Sequence, residues 1–174
     1  WGRRAPYAGD MPAADVELAI ASAVDAARAA VAAVAAEAAD IVEPLAQLAT
    51  GGKRLRARLI VAAHDACGGT AREAAIQVAA ATELFQTAAL IHDDVLDQAD
   101  TRRGGPTIHR GLATHHAQAA WSGSAEHFGT SSAILAGAIA AMHQVGVAVD
   151  QAGRDEPTAQ ILRVDAAPAA LQLV

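Results

Sequence analysis

Four carboxylates, Asp93, Asp94, Asp97 and Asp100, close an apolar run ending in "AALI", and Arg102 and Arg103 follow at once. On an ideal helix Asp93 and Asp97 share a face, with Asp94 one step around it. Like charges at that spacing repel by about 0.2–0.5 kcal/mol per pair. A helix end also carries partial negative charge of its own, so acids gain nothing there from the dipole. The chemistry that favours such a cluster is capture of a hard cation. Mg²⁺ takes oxygen ligands and bridges one or two carboxylates to substrate phosphates. A solvated acidic helix end is the competing account of a bare DDxxD.

The arginines extend that chemistry to the anion. Arg102 and Arg103 stand in "RRGGPT", where glycines let backbone approach closely and guanidinium groups can grip phosphate oxygens in pairs. Simple neutralisation of the neighbouring aspartates is the alternative. A second basic constellation, "TGGKRLRARL" at 50–59, sets two glycines before a helix start, where free N–H groups and the dipole attract anions. Lys53 and Arg56 lie three residues apart and can converge on one phosphate. The segment is not a Walker loop, since Gln47 replaces the first glycine and Arg54 stands where Ser or Thr is required. His109, His115 and His116 lack a metal-ligand spacing, His92 reads as a packing residue, and no nucleophile–base arrangement stands out.

The elements that must position these groups read as helices. Alanine and valine interleaved with charges from Asp15 to Asp40 predict one long amphipathic helix, punctuated by Pro44 and "TGG". A second helix is expected over 53–66, stopped by "CGGT". A third and longest one spans about 71–99, with a loop at 102–107 that two glycines and a proline impose. Further helices are expected at 108–120 and 125–141, and residues 1–12 read as a mobile start. From about Val145 the periodicity fades, so 145–174 is expected to be an irregular, poorly packed tail.

At 174 residues, 53% hydrophobic and 3% aromatic, the chain predicts a single all-α domain rich in alanine. A net charge of −6 argues against a general affinity for nucleic acid or anionic lipid. Cys67 is the single cysteine, which excludes an internal disulfide and fits a reducing cytoplasmic setting. No signal peptide is legible at the start. Phe128–Val149 is uncharged and long enough for a membrane span, but its alanine, glycine, serine and His143 content favours a buried bundle helix.

"GGKRLR" followed by "ELFQTAALIHDDVLDQADTRRGGPTIHR" closely resembles the trans-isoprenyl diphosphate synthases, the polyprenyl synthetase family. The likeness runs from about Thr50 through Arg110, and more loosely through "HFGTSSAILAG" at 127–137. It implies an isoprenoid synthase-type helical bundle, here its N-terminal half over 13–144. It further implies Mg²⁺ held by Asp93, Asp94 and Asp97 and, through it, an allylic diphosphate that Arg102 also contacts. Lys53, Arg56, Gln86 and Arg103 match positions that hold isopentenyl diphosphate. Gln86, seven residues before Asp93, lies within about 20° of it on the wheel. A homodimer is implied as well.

The sequence also departs from that pattern. The family's second aspartate-rich motif is not found, Ala138 stands where "AILAG" continues with an aspartate, and the following segment resembles nothing in the family. A truncated or frame-shifted product is therefore expected, with little turnover of its own. A non-catalytic partner or remnant is the second reading. A terpene cyclase is the third, disfavoured by "GGKRLR" and Gln86. Ala88 and Ala89 match the positions whose bulk sets product length, and two small residues there imply geranylgeranyl diphosphate or longer. The wheel puts Ala89 within about 40° of Asp93, whereas only the resemblance makes Ala88 line the cavity.

Overall fold

The apolar run over residues 72–96 forms the central helix, and every other α-helix packs against it. The computed structural model describes residues 13–154. In chain order it contains α1 (Ala13–Ala32), a 3₁₀ turn (Ala36–Ala38), α2 (Ala39–Ala49), α3 (Leu55–Ala66) and α4 (Arg72–Leu96). A two-stranded hairpin follows, β1 (Thr101–Arg102) with β2 (Gly105–Pro106), and then α5 (Ile108–Gln118) and α6 (Ala125–Arg154). The all-α expectation holds. Along α4 the residues Ala79, Ala80, Leu84, Ala88 and Ile91 are buried, and α1, α3 and α6 close around them. By length and composition α4 could cross a membrane, but 56% of its most apolar window is buried inside the protein.

Small residues let the helices approach closely, as the alanine content implies. In α6, Ala133, Ala136 and Ala140 are buried against the core. A Cβ on Gly129 would sit 2.2 Å from the His109 carbonyl oxygen, and one on Gly137 2.5 Å from His92 Nε2. Glycine is thus what allows α6 to cross α5 and α4 at that distance. His92 fills the packing role expected of it, its Nε2 lying 3.1 Å from the Ile134 carbonyl oxygen.

Three expectations need correction. The helix expected over 15–40 breaks after Ala32, and α2 folds back along α1. No glycine or proline lies between them, so tertiary packing decides the break. An unbroken helix from 13 to 49 would be about 55 Å long. The fold instead stacks Val42, Leu45 and Ala49 on the core that Val16, Ile20, Val24 and Ala27 begin. An Arg28–Glu43 ion pair spans the two helices. Pro44 does not separate elements but lies inside α2, where it forgoes one backbone hydrogen bond. Finally, irregularity does not begin at Val145, because α6 continues to Arg154. The expectations for 1–12 and for the tail beyond 154 lie outside the described residues.

Candidate functional site

The acidic cluster divides by partner. Asp94, only 3% exposed, turns inward from the end of α4 and accepts Arg102 Nε at 2.8 Å and 2.7 Å on its two oxygens. Arg102 Nη2 lies 2.6 Å from Asp94 and 3.6 Å from Asp93. The hydrogen bonds to Asp94, and then the charges of Asp94, Asp93 and Asp97, hold the Arg102 guanidinium above its ordinary value despite partial desolvation. Asp100 pairs with Arg110 Nε at 2.8 Å. Two of the four acids are therefore neutralised from within. Asp93 and Asp97 are exposed, one turn apart; Asp93 keeps only the 3.6 Å contact with Arg102, and Asp97 has no ion pair among the described residues.

The expected three-carboxylate metal set is not assembled. Among the described residues no three His, Cys, Asp or Glu side chains converge on one point. The physical reason is the inward turn of Asp94 onto Arg102. His109, His115 and His116 form no such group either. His109 is buried, and His115 and His116 stack edge-on against Trp121 at 5.4 and 5.7 Å. Asp93 and Asp97 do fit a hard cation, since both are exposed oxygen donors at the negative end of a helix dipole.

A tight turn sends the two arginines different ways. Thr101 pairs with Pro106 and Arg102 with Gly105, leaving Arg103 and Gly104 as a two-residue turn with φ of 52° and 82°. That is the geometry of a type I′ hairpin, and it explains why "RRGG" works here. Arg102, on the strand, reaches Asp94. Arg103, on the turn, lines a cavity of about 310 Å³ together with Gly51, Gly52, Lys53, Arg56 and Gln86. So the four residues expected to hold one diphosphate are gathered from α4, the hairpin, the loop before α3 and the first turn of α3. Neither Lys53, Arg56 nor Arg103 is ion-paired among the described residues, unlike Arg102 and Arg54.

Arg103 and Leu48 are shared with a second, larger cavity of about 520 Å³, walled by α2, the hairpin and α5 and including Arg102 and Asp94. Neither cavity is lined by Ala88 or Ala89. Ala88, expected to line a cavity on resemblance alone, is instead packed in the core at 3% exposure. Ala89 is exposed on the face it shares with Asp93, as the wheel predicts. Phe85 stands one turn before Ala89 on that face, 61% exposed, and belongs to no motif legible in the sequence. Its i, i+4, i+8 spacing with Ala89 and Asp93 is the signal that finds it. Glu83 is the one charge in the apolar stretch of α4, yet it is 8% exposed and accepts the Ala57 N–H in the first turn of α3.

A bundle of small-residue helices carrying a basic cavity and a pair of exposed aspartates fits the isoprenoid synthase arrangement. The profile described as "Polyprenyl synthetase" matches residues 38–163, and the chain belongs to that family. The match reaches past Ala138, where the resemblance read from the sequence stops. The geranylgeranyl diphosphate synthase of Saccharolobus solfataricus is 48% identical over 59 residues, 34% of this chain and 18% of that protein. The all-trans-nonaprenyl-diphosphate synthase (geranyl-diphosphate specific) of Rhodobacter capsulatus is 47% identical over 57 residues, 33% of this chain and 18% of that protein. A geranylgeranyl pyrophosphate synthase from Corynebacterium glutamicum, solved with isoprenyl diphosphate and magnesium, superposes with a TM-score of 0.70 at 34% identity. That likeness covers 79% of this chain and 40% of the solved one. The matched stretches thus span less than half of these relatives' lengths.

Proposed function

We propose that this chain carries the diphosphate-binding face of a Mg²⁺-dependent trans-prenyltransferase, which joins an allylic diphosphate to isopentenyl diphosphate. The observation that carries the reading is the single cavity shared by Lys53, Arg56, Gln86 and Arg103, with the exposed pair Asp93 and Asp97 further along the chain segment that supplies Gln86. Three cations and a carboxamide donor suit isopentenyl diphosphate, whose charge must be held while its double bond reacts. Mg²⁺ on Asp93 and Asp97 would supply charge stabilisation for the leaving diphosphate of the allylic partner. Arg102 would stabilise the same group from the hairpin, with Asp94 orienting its guanidinium. Breaking the allylic C–O bond leaves a cation that the isopentenyl double bond attacks, and proton loss completes the product.

Relatives' names range from geranylgeranyl to nonaprenyl products, so sequence likeness alone does not fix the length. Small Ala89 favours a long product, whereas Phe85, one turn deeper, is the bulky group a growing chain meets next. We place the product at geranylgeranyl or longer on that basis, and the assembled enzyme in the cytoplasm as a homodimer.

Calorimetric titration of isopentenyl diphosphate into the chain tests the reading. Lys53→Ala and Arg103→Ala should each weaken binding about tenfold, the equivalent of one charge-assisted hydrogen bond at about 1.4 kcal/mol. Unchanged affinity in both variants would remove the site.

A further inference from the structure

Between Lys53 and Arg56 stands a third cation, Arg54, which also borders the cavity but is held by protein carboxylates. Arg54 is 9% exposed and adopts φ 46° and ψ 42°, a left-handed conformation that a β-carbon disfavours. Its guanidinium grips Glu17 of α1 through Nε at 2.6 Å and Nη2 at 2.8 Å. Nη2 also donates to the carbonyl of Ala49, the last residue of α2. Nη1 lies 3.9 Å from Glu83 Oε2 on α4, and Glu83 Oε1 accepts the backbone N–H of Ala57 in the first turn of α3 at 3.1 Å. One side chain therefore ties the loop before α3 to three other elements.

We infer that Arg54, with Glu17 and Glu83, is the positioning device of the anion-binding loop; this rests on the proposed function of the cavity. Gly51 and Gly52, at φ 75° and 95°, give the loop freedom to take many shapes. Nothing in the loop itself selects the one in which Lys53 and Arg56 converge, and the buried guanidinium supplies that selection. It acts electrostatically too. Glu83 lines the cavity, where an unbalanced carboxylate would repel a diphosphate, and Arg54 offsets its charge. Nε and Nη2 of Arg54 are taken by Glu17 and the Ala49 carbonyl, and Nη1 faces Glu83, so it acts chiefly through its neighbours. Alternation follows: Lys53 and Arg56 are exposed to the anion, and buried Arg54 holds the loop that carries them.

Two readouts on the 174-residue chain test this, using inorganic pyrophosphate as the probe. Arg54→Met should weaken pyrophosphate binding at least tenfold and speed amide hydrogen exchange across residues 50–57 without ligand, leaving protection in α5 and α6 unchanged. Arg54→Lys keeps the charge but not the fork and should recover part of both. If Arg54→Met does not fold, Glu17→Gln replaces it, with a smaller loss in the same direction. Wild-type affinity in a folded Arg54→Met would overturn the inference, as would protection lost uniformly along the chain. Should Lys53→Ala bind pyrophosphate as well as wild type, the cavity itself is misread and the inference falls with it. Loss in Lys53→Ala with none in the Arg54 and Glu17 variants overturns the positioning role alone.

Discussion

Asp94 and Arg102 show how one residue's surroundings divide a motif into unlike parts. Arg102→Met would strand a carboxylate that is 3% exposed, at a cost of roughly 2–3 kcal/mol in urea unfolding, discounted because Arg102 itself is partly solvated. Asp94→Asn added to Arg102→Met should recover part of that loss, since the stranded charge is gone. A double variant as unstable as the single one would show that the pair is not coupled. His109 gives a pH dependence. Burial foremost, then the Arg110 charge, lowers its pKa below the usual histidine value, outweighing Asp94 and Asp100. The unfolded chain therefore takes up that proton more readily, and the stability His109 contributes is full above about pH 6.5 and lost as pH falls through the folded value. Replacing it with Gln should flatten the decline in melting temperature between pH 7.5 and 5.5. An equally steep decline would assign the effect elsewhere. Of these residues the sequence exposes the types and not the pairings. DDxxD and GGKxxR are contiguous and so visible, whereas the turn of Asp94 onto Arg102 depends on hairpin register eight residues away.

At the scale of elements, the apolar rhythm located α3, α4, α5 and the start of α6 within a few residues, because each has a buried face and a glycine or loop to stop it. The break between α1 and α2 had no such punctuation and is set by packing, which the chain does not spell out locally. Glu17 and Arg54 are 37 residues apart and Arg54 and Glu83 lie on different elements, so their network was equally hidden. Gly129 offers a test of the crossing of α5 and α6. Alanine is the better helix former by about 1 kcal/mol. The added Cβ would nevertheless meet the His109 carbonyl at 2.2 Å and the Ala113 backbone nitrogen at 2.9 Å. Backbone cannot step aside as a side chain can, so overpacking wins and Gly129→Ala should destabilise by roughly 1–3 kcal/mol. A rise in melting temperature would mean that the helices separate freely.

For the whole molecule, the acidic and basic faces are present, and the sequence contains no second aspartate-rich motif to complete a metal cluster. The 174-residue chain alone is therefore expected to form prenyl product far below ordinary enzymatic rates, because the departing diphosphate is stabilised from one side only. Radiolabelled isopentenyl diphosphate with an allylic diphosphate and Mg²⁺ checks this. Within a longer chain restoring that motif, Ala89→Phe should shorten the product and Phe85→Ala lengthen it. An unchanged chromatogram for both would move the floor of the cavity to other helices. The division of labour between the two faces has a more direct test. Pyrophosphate is titrated into the chain with and without Mg²⁺, for wild type, Asp93→Asn, Asp97→Asn and Lys53→Ala. Mg²⁺ should strengthen binding to wild type and to Lys53→Ala, with Lys53→Ala weaker throughout, and should have no effect on either aspartate variant. Equal Mg²⁺ enhancement in wild type and both aspartate variants would contradict the account.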